Sequence, residues 1–208
     1  MKLGFIGAGN MGGAIIRGFI KSNKVKAENI MVARKNKGAL KNMADDLGIN
    51  ACEKASLLAE DCDVVFMAVK PVMFSSVIDE IKESVKKYNP LVVSMAAGLT
   101  TDKIRDMFGF DVKLVRIMPN INAEILMSAT SVCKNSFASD EDMEYIKDLF
   151  SAIGLATEVN ENMFSVFSAI AGCSPAYVYM FIDALARGAQ KMGMNKKQAL
   201  EIAAAAVV

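Results

Sequence analysis

Short apolar, β-branched runs alternate with amphipathic stretches along the first half of the chain. Leu3 to Ile6, Ile30 to Val32, Val64 to Val69, Leu91 to Met95 and Val112 to Ile117 read as strands. Several of them are apolar nearly throughout, as strands buried on both faces should be. Between them, helical spacing runs through Met11 to Lys21, Lys37 to Leu47, Phe74 to Lys87 and Thr101 to Phe108. Such βαβ alternation predicts a parallel sheet with helices on both faces. A further strand is expected over Ala129 to Cys133, then a helix over Glu141 to Ile153 opened by the capping pair Ser139-Asp140. The fold class is therefore α/β, a Rossmann-like doubly wound parallel sheet.

The pattern changes near residue 160. Asn162 to Ala169 is apolar at helical spacing, Gly172 to Pro175 is expected to break it, and Ala176 to Met192 begins a long helix. After Gly193-Met194-Asn195, a last helix over Lys196 to Val208 is almost all apolar on its final turns. A helix apolar all round needs burial on every side, which this chain does not provide. Residues 1–160 thus form one expected domain and 161–208 the start of a second, helical one. At ~150 residues per domain, the 208 residues amount to roughly 1.4 domains, which agrees.

Composition narrows the chemistry. Apolar residues make up 53% and charged residues 23%, far from disorder, and mean hydropathy is +0.29. Lys and Arg total 24 against 23 acids, a net charge of +1, so no global field favours nucleic acid or anionic lipid. With no histidine, Ser-His-Asp devices are absent and the commonest metal sites lose their usual ligand. Cys52, Cys62, Cys133 and Cys173 form no CxxC pair and read as reduced residues of a cytoplasmic protein, with no metal site. The longest contiguous apolar runs, Val64 to Val69 and Ile202 to Val208, fall short of the roughly 20 residues that cross a bilayer, and the first strand begins too early for a signal peptide.

Gly7-Ala8-Gly9-Asn10-Met11-Gly12 is a GxGxxG between the first strand and the first helix. Gly7 serves the tight turn, Gly9 lets a pyrophosphate approach the backbone, and Gly12 lets helix pack closely on strand. The flanking strand and helix supply the context for dinucleotide binding, with a glycine-rich turn in an ordinary α/β domain as the alternative. At the end of the second strand stands Ala33-Arg34-Lys35-Asn36-Lys37, where an NAD-selective site usually places an acid. Arg34 and Lys35 suit the 2′-phosphate of NADP(H), with NAD(H) as the alternative cofactor and a solvated basic loop as the plain one. Val69, Lys70 and Pro71 follow the third of these strands, and Ala96 and Ala97 the fourth, at the carboxyl edge where open α/β sheets bind ligands.

Taken with Val115-Arg116-Ile117-Met118-Pro119-Asn120 and Gly172-Cys173-Ser174-Pro175-Ala176-Tyr177-Val178, these motifs resemble the pyrroline-5-carboxylate reductase family over the whole chain, in order. The resemblance implies NAD(P)H-dependent reduction of 1-pyrroline-5-carboxylate to L-proline, the last step of proline biosynthesis. It implies a carboxy-terminal helical domain that forms a homodimer or higher homo-oligomer. By the same likeness Val69, Lys70, Ala96, Ala97 and Asn120 fall on cofactor contacts. Glu161, fourteen residues before Pro175, falls on a substrate-contacting glutamate, a surface carboxylate at the domain junction being the alternative. A cyclic imine suits a chain without histidine, because its basic nitrogen enters protonated and hydride addition then needs no strong acid.

The chain departs from the family pattern in three places. Ile121-Asn122 stands where the family usually has Thr-Pro, and Ser128 stands near a loop glycine. The family also continues into a Ser-Pro-Gly-Gly-Thr-Thr loop that holds the substrate carboxylate and supplies the hydroxyl proposed as proton donor. That loop lies beyond residue 208, so the helical domain is expected to be cut short and no catalytic residue is assigned. Two other readings stand beside the reductase: a catalytically silent dinucleotide-binding or regulatory protein, and a related Rossmann dehydrogenase acting on another imine or a β-hydroxy acid.

Overall fold

The computed structural model describes residues 1–207. Among the described residues eight strands form one sheet: β1 Leu3–Ile6, β2 Ile30–Ala33, β3 Asn50–Cys52, β4 Val64–Met67, β5 Leu91–Ser94, β6 Leu114–Met118, β7 Ser128–Lys134 and β8 Gly154–Glu158. Their spatial order is β3-β2-β1-β4-β5-β6-β7-β8. The order reverses between β1 and β4, which opens a crevice at their carboxyl ends. Helices α1 Asn10–Lys21, α2 Lys37–Leu47, α3 Ala55–Asp61, α4 Phe74–Tyr88, α5 Thr101–Phe108 and α6 Asp140–Ser151 accompany the sheet. Beyond Glu161 the chain is helical: a 3₁₀ turn Glu161–Met163, α7 Phe164–Phe167, a π turn Ser168–Gly172, α8 Ser174–Lys191 and α9 Lys196–Ala205.

Period-two alternation sends each strand's side chains into two separate cores. On one face Phe5 stacks on Phe66 with ring centroids 4.5 Å apart, and Phe19 of α1 and Phe150 of α6 close over Phe66. On the other face Val65, Met67, Val92 and Leu114 pack against Leu58, Phe74, Ile81 and Ile104 from α3, α4 and α5. Helix ends follow local chemistry. The Ser139 hydroxyl accepts from the Asp142 N–H while the Asp142 carboxylate accepts from the Ser139 N–H, the reciprocal capping box that opens α6. Gly48 and Gly109 close α2 and α5 in the left-handed conformation.

Several expectations need correction. The sheet is not wholly parallel, because β7 runs antiparallel to β6. The short connection over residues 119–127 holds only a 3₁₀ turn, Ile121–Ile125, and a parallel return needs roughly a dozen residues or more. Strands β3 and β8 and helix α3 gave no sequence signal: β3 has three residues, two of them exposed, and β8 lacks an apolar run. Gly172 to Pro175 does not end the helical course. The chain changes to π pitch over Ser168–Gly172, bends at Cys173 and resumes as α8. Glu161–Lys191 is therefore a 31-residue helical run, long and apolar enough to cross a bilayer by length and composition alone. A search for contiguous apolar runs misses it, since polar residues interrupt it. The expected end of the last helix, Val208, lies outside the described residues.

Helix α1 is pinned at two adjacent positions. Arg17 donates to both carboxylate oxygens of Glu124, at 2.9 and 3.3 Å, and a Cβ on Gly18 would lie 2.5 Å from the Ala123 carbonyl oxygen. Gly18→Ala should therefore destabilise the protein by about 1–3 kcal/mol despite alanine's better helix propensity. A fall in the urea midpoint with an unchanged m-value is the expected result.

Candidate functional site

The crevice between β1 and β4 is lined by the glycine turn. Gly7 has φ +88°, and a Cβ there would lie 2.7 Å from the Ala68 carbonyl oxygen and 2.8 Å from Val69 Cγ1. A side chain at Gly12 would crowd Ala68 Cβ at 3.1 Å and the Gly7 oxygen at 3.2 Å. Gly9 has open space where its Cβ would be, and it precedes α1 with no side chain capping the helix. The first N–H groups of α1 are thus free for an anion, and a phosphate can approach to backbone distance.

From this turn a cleft of about 540 Å³ runs past Arg34, Lys35, Asn36 and Lys37 on one side and Val69 and Lys70 on the other. Lys37 directs its ammonium at the Glu53 carbonyl oxygen. Among the described residues, Arg34, Lys35 and Lys70 form no ion pair, so their charge stays available to a ligand. Arg34 also lines a groove between α1 and α2 with Asn10 and Arg17. A second cleft of about 420 Å³ lies at the opposite sheet edge, lined by Glu60, Asp61, Asp63, Glu141 and Asp142. Its acidic wall would repel a dinucleotide.

The structure thus brings together Gly7, Ala8, Gly9, Arg34, Lys35, Val69 and Lys70 around one cleft. Other expected residues stand apart from it. Met11 is half-buried against the core, and Pro71 opens a 3₁₀ turn after β4. Ala96 is buried and Ala97 exposed beyond the end of β5. Glu53, Met73, Val77 and Glu80 also line the cleft and were missed. Glu53 follows the unforeseen strand β3, while the other three sit after β4 and on α4, where only their apolar or polar character was legible.

Asn120 and Glu161 are engaged inside the protein. Asn120 is 6% exposed; its Nδ2 donates to the Ala171 oxygen at 3.0 Å, and its Oδ1 accepts from the Asn122 N–H at 3.2 Å. Glu161 Oε1 accepts from the Thr101 N–H at 2.8 Å and from Arg116 at 3.0 Å, and Oε2 accepts from the Thr101 hydroxyl at 3.0 Å. Arg116 is 5% exposed, its Nε has no hydrogen-bond partner among the described residues, and its guanidinium lies 4.5 Å from the Phe164 ring centroid. Arg116 was the missed member of this group. Its signal was a single cation in an otherwise apolar strand.

The cysteines stand clear of the chemistry. Cys52, Cys62 and Cys133 are buried and all four thiols are free. Burial, with the nearby Asp61 carboxylate adding to it, pushes the Cys62 thiol up to about 12. Burial first, then Glu161, does the same for Cys133. Both stay protonated at neutral pH.

Comparison with known proteins gives this geometry its family. The chain is 41% identical over 207 residues to pyrroline-5-carboxylate reductase of Escherichia coli, covering 100% of this chain and 77% of the relative. The chain belongs to the pyrroline-5-carboxylate reductase family. The Methanosarcina acetivorans enzyme of that name is 35% identical over all of this chain and 76% of its own. Residues 2–98 match the family model "NADP oxidoreductase coenzyme F420-dependent", and residues 161–208 match "Pyrroline-5-carboxylate reductase dimerisation". The solved Plasmodium falciparum pyrroline carboxylate reductase with NADP bound superposes with a TM-score of 0.90 at 30% identity, over 100% of this chain and 76% of that one. A Streptococcus pyogenes 1-pyrroline-5-carboxylate reductase gives 0.89 at 34% identity, with the same coverage. The dimerisation match supports homo-oligomerisation, which gives the exposed apolar run Glu161–Lys191 a reason other than lipid.

In this family member Glu161 joins the helical segment to both α5 and β6. Glu161→Ala would leave the buried guanidinium with no carboxylate, so it should cost about 2–3 kcal/mol in chemical denaturation, with Glu161's partial exposure moderating the loss. Adding Arg116→Met to that variant should recover most of it; additive losses would show that the pair is not coupled.

Proposed function

We propose that this protein reduces 1-pyrroline-5-carboxylate to L-proline with NADPH, in the cytoplasm. The observation that carries the reading is the basic switch-point cleft in a chain 41% identical to a pyrroline-5-carboxylate reductase. The cleft's residues fit the cofactor: a glycine at position 9 with open space beside it, free N–H groups opening α1, and unpaired cations at the far end. The α1 amides take the pyrophosphate, Arg34 and Lys35 take the 2′-phosphate, and Lys70 stands across the cleft from them. Ala96 and Ala97 leave room for the nicotinamide at the end of β5.

The cofactor, when bound, supplies a hydride. The chain's own task is to orient the imine carbon, exclude water and leave the nitrogen charged. A substrate that arrives as an iminium takes the hydride at carbon and becomes an amine, so no histidine is required. Glu161 Oε2 makes one hydrogen bond and retains a lone pair for a donor such as the iminium N–H. Through it Glu161 would contact substrate while holding Thr101 and Arg116.

The test follows NADPH absorbance on addition of 1-pyrroline-5-carboxylate. Turnover is expected from a protein that carries the family's loop after residue 208, and its absence there with both NADPH and NADH would overturn the reading; binding without turnover there would mark a silent dinucleotide-binding protein. The double variant Arg34→Ala, Lys35→Ala should raise KM for NADPH by about 10–100-fold and that for NADH by less than about 3-fold, since only NADPH presents the extra phosphate. Equal effects on both cofactors would reject the 2′-phosphate assignment.

A further inference from the structure

We propose that Asn120 is a positioning residue whose carboxamide replaces the N–H that Pro175 lacks, locking the helical segment to the carboxyl end of β6. In an α-helix the Ala171 carbonyl would accept from the N–H of residue 175, and proline has none. The next donor along, the Ala176 N–H, turns to the Cys173 oxygen at 3.0 Å. The turn before it shows the same displacement: the Cys173 N–H reaches back to the Ser168 oxygen at 3.0 Å, the bond that defines the π turn. The Ser174 hydroxyl adds the i−4 bond usual for a helix serine, to the Ile170 oxygen. Into this gap Asn120 Nδ2 donates to the Ala171 oxygen at 3.0 Å, across 51 residues of sequence.

Two partners set the direction of that carboxamide. Asn122 offers an N–H to Oδ1 at 3.2 Å while Ala171 offers a carbonyl to Nδ2, so a flipped amide would set donor against donor and acceptor against acceptor. The Asn120 N–H itself lies 3.4 Å from the Ser128 hydroxyl. Ile121-Asn122 and Ser128, the positions that depart from the family pattern, thus surround Asn120, and a proline at 122 would have no N–H to give.

Position makes this more than a packing detail. Asn120 lies at the carboxyl edge of the sheet, the edge that also carries Gly7, Val69 and Ala96, whereas Arg116 anchors the same segment further back in β6. Losing the Asn120 bond would free the π turn at that edge while the Arg116–Glu161 tie still holds Glu161. The expected consequence, which rests on the reductase reading, is a misaligned site in a folded protein.

The experiment is a double-mutant cycle on the full chain with Asn120→Ala, Pro175→Ala and both together. With Pro175 present, Asn120→Ala should lower kcat by about tenfold or more, as expected for a half-buried carbonyl left without its donor at the edge of the site, and change KM for NADPH by less than about threefold. In the Pro175→Ala background the restored backbone N–H at that position can reach the Ala171 oxygen, and the same substitution should lower kcat by less than about threefold. Equal losses in the two backgrounds, including failure of both Asn120→Ala variants to fold, would overturn the proposal. So would a large rise in KM for NADPH that Pro175→Ala does not relieve, which would mark Asn120 as a cofactor contact. Thermal midpoints of the same four proteins carry the cycle independently of turnover. A parent protein that binds but does not reduce the imine would refute the reductase reading and leave this coupling measurable.

Discussion

Burying a guanidinium requires a carboxylate, and in this chain the carboxylate comes from outside the sheet. Arg116 stands in the middle of β6 at 5% exposure, and Glu161 opens the helical segment. An unpaired buried cation would be far more costly than an exposed one, so the sheet can close over Arg116 only if residues 161–164 dock on it. Glu161 answers the charge and Phe164 covers the guanidinium face. The same carboxylate accepts from the N–H and hydroxyl of Thr101 at the start of α5, where a negative charge is favoured. One side chain therefore sets the helical segment, β6 and the loop after β5 relative to one another.

That arrangement decides what the sequence could and could not reveal. Strands β1, β4 and β5 are buried on both faces, so each is a mostly apolar run, and the glycine turn after β1 has a spacing that suits a dinucleotide turn. The cofactor half of the site was legible for this reason. Strand β3 borders the sheet with two of its three residues exposed, and β8 is mostly half-buried; neither leaves a pattern to find. Long-range polar ties leave none either. Glu161 and Asn120 were singled out by resemblance to a family, and nothing in the spacing of residues could show that their partners would be Thr101, Arg116 and Ala171.

Two motifs that looked separate in the sequence turn out to answer each other. Pro175 stands in the first turn of α8 without its own N–H, the place in a helix where proline is tolerated, but the helical course does not begin there. It arrives from α7 through the π turn, so the proline's missing donor falls inside a continuous helical path and disturbs its carbonyls. Asn120, just beyond β6, supplies the replacement at the Ala171 oxygen. The irregular pitch and the Met118-Pro119-Asn120 turn are consequently one feature, formed where the helical segment meets the edge of the sheet.

The direction of these ties also explains the grease on the far side. Residues 161, 164, 168 and 171 recur at helical spacing, and the segment's contacts with β6 run through Glu161, Phe164 and Ala171 on that face. Further along α8 the apolar side chains find no such partner among the described residues: Met180 is 70% exposed and Phe181 56%, and of those residues the small core between α8 and α9 holds only Ala186, Ala199 and Ala203 as buried members. Three alanines bury too little surface to offset ordering two helices. The apolar side chains that α8 leaves exposed suit cover by other protein surface, which agrees with the match of residues 161–208 to a dimerisation family.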